Sequence, residues 1–116
     1  MAYLTFPPGS RVVAYANSST FTANSSTTDV ATMTYTGTAG TFTIANPTGT
    51  PVNGQKLMYR IQCTNAQTLS FGANLVGSVD LTLPTATTGS SKYDYLGFIY
   101  NTTSSNWQLI AKNFGF

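Results

Sequence analysis

The chain has 116 residues, 41% of them apolar and 13% aromatic, and only 7% are charged where an average globular protein has about 25%. That length suits one domain with its own core, and a net charge of +2 scattered along the chain forms no basic footprint for nucleic acid. With no His, no Glu and one cysteine, the sequence excludes Ser-His and Cys-His catalysis, an intrachain disulfide and a Cys/His metal cluster.

Residues 1–10, MAYLTFPPGS, set Tyr3, Leu4 and Phe6 ahead of two prolines. Pro7 and Pro8 fix φ and remove two backbone donors, so the segment does not belong in the middle of its own sheet. It reads as an extended arm whose apolar side chains grip a partner. It has neither the basic start nor the apolar stretch of a secretion signal, and no run in the chain reaches membrane-spanning length. Synthesis in a cytoplasm, with no membrane partner, is the expectation. A first strand is predicted over Arg11–Ala16, RVVAYA. Residues 17–28, NSSTFTANSSTT, are low in complexity and read as a flexible link. The boundary is therefore set at residue 28, with an arm, a first strand and a link over 1–28 and a β-domain over 29–116.

From there apolar residues recur at every second position, the strand period, and no amphipathic helix appears. Val30–Thr36 and Thr41–Ala45 are predicted strands, joined by a short hairpin loop at Gly37–Gly40. Pro51 and Asn53-Gly54 form a turn that delivers a strand over Gln55–Thr64. In that strand Leu57, Tyr59, Ile61 and Cys63 share one face, while Lys56, Met58, Arg60 and Gln62 share the other, facing solvent. Gln67–Phe71 follows, then a strand marked by Val79, Leu81 and Leu83 and closed by Pro84. Tyr93–Tyr100, YDYLGFIY, is the most apolar strand and is placed centrally in a sheet, buried on both faces. A tight turn, NTTSSN, leads to Trp107–Lys112. These eight strands, with turn signals at regular spacing and no visible internal repeat, predict a single all-β sandwich, jelly-roll-like. Its expected core comprises Leu57, Tyr59, Ile61, Leu69, Leu81, Leu96, Phe98, Ile99 and Leu109.

The chemistry-bearing residues are few. Asp29, Asp80 and Asp94 fall in three separate segments, too dispersed for a carboxylate pair or a calcium loop. Asp94 is expected at a loop edge or across the sheet from Lys92 or Arg60. Cys63 alternates with core positions and reads as a small buried hydrophobe. No catalytic, cofactor-binding or metal-binding residue is assigned. Asn17, Asn24 and Asn101 lie in sequons of the kind a Ser/Thr-rich chain contains by chance. The C-terminal Phe114-Gly115-Phe116 adds apolar residues poorly suited to a monomer surface. Tyr3, Leu4, Phe6, Phe114 and Phe116 are thus the candidate partner-binding residues.

The segments GTPVNGQKLMYRIQ, AQTLSFG, VDLTLPTATT and YLGFIYNTTSSNWQLIA, in this order, resemble a family of small β-modules from virion proteins of tailed bacteriophages. The resemblance spans roughly Asp29 to Ala111 and is most specific at Gly97-Phe98-Ile99-Tyr100-Asn101 followed by Trp107-Gln108-Leu109. The chain departs from the family pattern in carrying less charge after the basic strand and Phe71 where a tryptophan is usual. These motifs are turns and core strands. They imply a fold and a context, a virion structural protein made in the host cytoplasm, and they designate no ligand-contacting residue. The expected role is non-enzymatic: a capsid decoration protein bound to other virion proteins, as a homotrimer in keeping with phage surface proteins. The alternative is a tail- or head-fibre module that recognises cell-surface glycan, with Tyr93 and Asn101 as its exposed aromatic and amide.

Overall fold

The computed structural model describes residues 10–116, so the arm residues Tyr3, Leu4 and Phe6 lie outside the described residues. Nine strands are present among them: β1 Val12–Ala14, β2 Thr20–Phe21, β3 Val30–Tyr35, β4 Thr41–Ile44, β5 Lys56–Cys63, β6 Thr68–Phe71, β7 Leu75–Val76, β8 Lys92–Asn101 and β9 Asn106–Asn113. They form a six-stranded sheet in the order β1-β3-β5-β8-β9-β7 and a three-stranded sheet in the order β2-β4-β6. The two sheets enclose one core, so the all-β sandwich is as expected.

The connectivity is not that of an antiparallel jelly roll. β1, β3 and β5 run parallel in the large sheet, and β2, β4 and β6 run parallel in the small one. The chain therefore winds three times between the sheets, each circuit laying one strand on each. Val12, Val30 and Met58 share a rung of the large sheet, and Phe21, Ile44 and Phe71 share one of the small sheet. The rungs are unequally spaced in sequence, which is why no repeat shows there. β8 then pairs antiparallel with β5, and β9 with β8, closing the last coil with a hairpin.

Two expectations change with this winding. Gly37–Gly40 is not a hairpin loop but a corner between the sheets, because β3 and β4 each take a parallel neighbour instead of one another. Alternation reports which face of a strand is buried, not which strand lies beside it. Residues 17–28 are no flexible link; they form the first coil, with Phe21, Ala23 and Thr28 fully buried and Ser25 nearly so. The boundary at residue 28 thus cuts between paired strands. The corners rely on close backbone packing. At Gly49 (φ +90°) an added Cβ would lie 2.6 Å from Ser26 Oγ and 2.8 Å from Asn24 Oδ1, so only glycine fits.

The core is aromatic where the sheets meet. Phe21 of the small sheet packs edge-on to Tyr59 of the large one at 5.2 Å, and Tyr59 packs edge-on to Phe98 at 5.8 Å. Of the nine expected core residues, Leu57, Tyr59, Ile61, Leu69, Leu96, Phe98 and Leu109 are buried, whereas Leu81 and Ile99 are half-buried. Val79 is 99% exposed and belongs to a turn, closed by Ser78 N donating to Leu81 O at 2.9 Å, rather than to a strand. The chain from Thr85 to Thr87 instead lies along β6, with Leu69 N donating to Thr85 O and Thr87 N to Gln67 O.

Candidate interaction surface

β8 is central in the large sheet as expected, but among the described residues it is sealed on its inner face alone and not on both. Strand alternation sends Met58 and Arg60 of β5 outward, opposite Gly97 and Tyr95 of β8. On the other side of β8 the register slips: Gly97 pairs with Ala111 and Phe98 with Leu109, leaving Ile110 as a bulge. Ile110 is 52% exposed as a result. Because Gly97 has no side chain, the sheet surface dips there. A shallow groove of about 420 Å³ has Gly97 at its floor, Met58, Tyr95, Ala111 and Phe116 around it, and Lys112 and Asn113 also lining it. An adjoining trough of about 740 Å³ shares Met58, Gly97 and Ala111, takes in Val52 and Ile110, and is rimmed by the polar Asp29, Asn53, Gln55 and Lys56. Of the exposed large apolar and aromatic side chains among the described residues, Val52, Met58, Ile110 and Phe116 line these two depressions, while Val12, Val79 and Tyr93 do not.

The C-terminal residues divide between two roles. Phe114 packs against the core. Phe116 is 61% exposed and stands edge-on to Tyr95 at 5.5 Å, held by backbone bonds in which Phe116 N donates to Tyr93 O and Tyr93 N donates to Phe116 O. The tail therefore builds one wall of the apolar groove. Of the five candidate partner-binding residues, the structure thus seats Phe116 at an exposed surface and Phe114 within the fold, and the other three precede the described residues.

The charged residues hold architecture together. Asp94 lies opposite Ile61, on the inward face, and is 1% exposed. It meets no base there. Its Oδ2 accepts the Thr88 N–H at 2.7 Å, and its Oδ1 accepts the Thr88 hydroxyl at 2.7 Å and the Gly115 N–H at 3.0 Å. The expected partnership with Lys92 or Arg60 fails because β8 turns this position toward the core. Arg60 donates from Nε to Thr32 Oγ1 at 3.3 Å instead. Among the described residues the one ion pair joins Arg11 and Asp29 at 3.0 Å. Arg11 also donates to Asp29 from its backbone N and from Nε, while Asp29 N and Val30 N donate back to Arg11 O. The guanidinium's hydrogen bonds hold the Asp29 carboxyl below its usual range, against a smaller opposing effect of burial. Cys63 is sealed in the core; burial pushes its thiol up, a hydrogen bond from Thr87 opposes this, and the charge of Asp94 adds to it. The Tyr59 hydroxyl, fully buried without a partner among the described residues, has its ionisation pushed well above the ordinary range by burial.

Sequence reasoning missed the groove. Its floor, Gly97, was readable as an isolated glycine inside a strand, a known signal of a bulge or close approach. The bulged Ile110 and the Tyr95–Phe116 contact had no such signal. Among the described residues no group of three or more His, Cys, Asp or Glu side chains is positioned to hold a metal ion, and no helix is long and apolar enough to cross a membrane.

No protein-family model matches the chain, and no curated protein matches it. Among solved structures, one described as "Structure of a chaperone-substrate complex" aligns with 82% of the chain at 17% identity and a TM-score of 0.47. The chain spans 15% of that neighbour's length.

Proposed function

We propose that the chain is a non-enzymatic structural protein of a tailed-phage virion, made in the host cytoplasm, that decorates the capsid surface through the outer face of its six-stranded sheet. The observation that carries this reading is the pair of apolar depressions around Gly97, a surface that a partner protein would cover. Two further features support it. Asp29 and Asp94 are occupied in fastening loops and Cys63 is enclosed, so these three groups serve the framework, and Asp80 stands alone on the exposed surface. The surface is rich in hydroxyls and amides and poor in charge, which resists association weakly and favours an oligomer; a homotrimer is the proposed form. The family resemblance of residues 29–111 supplies the virion context.

Counting copies per particle by quantitative mass spectrometry of purified virions tests the reading. Hundreds of copies fit a capsid location, and a few to tens place the protein on the tail. Ile110→Glu should then abolish capsid binding without unfolding the protein; undiminished binding would refute docking through this face. The second reading, a fibre module that binds cell-surface glycan, draws its support from a polar groove between two loops that shares Asn53 and Gly54 with the trough.

A further inference from the structure

At one end of the interior strands β5, β8 and β9 the turn containing Asn53-Gly54 lies against the β8–β9 turn. Gly54 N donates to Tyr100 O at 2.8 Å, and Asn53 Oδ1 accepts the Thr102 N–H at 3.1 Å. Between the turns is a polar groove of about 290 Å³ lined by Asn53, Gly54, Ile99, Tyr100, Asn101, Thr103 and Gln108. Its amides are oriented. A backbone N–H can only meet an amide oxygen, so the bond from Thr102 fixes which end of Asn53 is turned inward. The Thr103 N–H does the same to Asn101 Oδ1 at 2.9 Å. Gln108 donates from Nε2 to Ser104 Oγ at 3.3 Å, and that hydroxyl donates onward to Asn106 Oδ1 at 2.7 Å. Among the described residues, the Nδ2 groups of Asn53 and Asn101 and the Oε1 of Gln108 have no protein partner, and all three residues border the groove.

We propose that this groove is a binding site for a neutral sugar ring. Two amide donors, oriented by backbone N–H groups, and the Gln108 amide beside them match neighbouring hydroxyls, each of which both donates and accepts. The hydroxyl of Thr103 adds a further adaptable partner, and Ile99 and Tyr100 supply an apolar edge for ring C–H groups. Among the described residues no Asp, Lys or Arg borders the groove, so it offers a charged ligand no opposite charge. The proposal gives the glycan reading a location and a ligand class, and it is independent of capsid docking: its failure leaves the apolar face and its Ile110→Glu test untouched.

The test uses isotope-labelled whole protein, titrated to tens of millimolar with methyl α-glucopyranoside, methyl α-galactopyranoside and N-acetylglucosamine, and with glycerol as a small-polyol control. At least one sugar should saturably shift the side-chain amide signals of Asn53, Asn101 and Gln108. Asn53→Asp with Asn101→Asp retains an oxygen for each turn bond but replaces both amide donors with acceptors. This double variant should keep the native spectrum elsewhere and bind about tenfold or more weaker, equivalent to about 1.4 kcal/mol. If no sugar gives saturable shifts, if glycerol gives the same shifts, or if the folded double variant binds equally well, the proposal is overturned. If the double variant unfolds, Gln108→Ala, outside both turn bonds, serves in its place with the same expected loss.

Discussion

Asp94 grips Thr88 at two points, accepting its backbone N–H and its hydroxyl, each at 2.7 Å. One carboxylate on the core side of β8 thereby pins the loop leading into that strand, and its third bond, from Gly115 N, ties down the tail. Hydrogen bonds to a buried charged acceptor contribute about 1.5–3 kcal/mol, and an amide replaces them poorly because its NH₂ would face a donor. Asp94→Asn should lower the unfolding free energy by about that amount in urea titrations. It should also speed protease cleavage within residues 84–91; equal stability and equal cleavage would show the latch to be unimportant.

Phe21→Ala tests whether the N-terminal coil is part of the fold. Phe21 is fully buried and touches Tyr15, Phe42 and Tyr59. Its truncation should cost about 3–5 kcal/mol, as should that of Phe98, also fully buried. A flexible link over 17–28 would instead leave the denaturation midpoint of Phe21→Ala at the wild-type value.

Gly97→Ala separates groove from fold. An added Cβ would meet Ala111 Cβ and Met58 Cε at 3.5 Å, an ordinary contact. Stability should be unchanged or rise by about 0.4–1 kcal/mol, since alanine narrows the unfolded ensemble. Filling the floor with bulkier Gly97→Leu should weaken docking through the face. A large loss of stability in Gly97→Ala would mean that the backbone there needs glycine.

The Arg11–Asp29 pair has a defined pH signature. The Asp29 carboxyl titrates lower in the folded chain than in the unfolded one. Its contribution is therefore complete above the ordinary carboxylate range and fades as pH falls through the depressed folded value. Both side chains are substantially exposed, so the contribution is only about 0–1 kcal/mol. Thermal melts should show Asp29→Asn slightly less stable than wild type near neutrality and equal to it in strong acid. A gap that persists in strong acid would exclude the ion pair as its cause.

Cys63 should be silent to thiol reagents in the native state. It is 1% exposed and its thiolate is disfavoured by burial. Alkylation should follow global unfolding in denaturant, and rapid labelling of the folded protein would contradict the packing described.

How much was legible can be judged strand by strand. The inward set on β5, Leu57, Tyr59, Ile61 and Cys63, was readable because period-two alternation directly reports a half-buried strand. The two-residue strands β2 and β7 were not, since too few residues alternate to show a period. Parallel winding was hidden for a different reason: Val12, Val30 and Met58 are neighbours in space but carry no shared local motif. Asn53-Gly54 was recognisable as a turn, yet the orientation of its amide depends on Thr102, far along the chain.

The winding also bears on the order of assembly relative to translation. β1 and β3, and β2 and β4, are parallel neighbours whose chain connection passes through a strand of the other sheet, and such non-local pairings must close long loops before they gain contacts. The β8–β9 hairpin is the one extensive local pairing, closed across the short turn at Thr102–Ser105, and β5 is seated on it. We predict that the coils made first on the ribosome wait for the hairpin made later, so that folding proceeds back toward the N-terminus. Ribosome-bound chains truncated before residue 92 should remain protease-sensitive throughout, whereas chains in which β9 has cleared the exit tunnel should gain protection in a single step. Stepwise protection of residues 11–50 on the shorter chains would reverse that order.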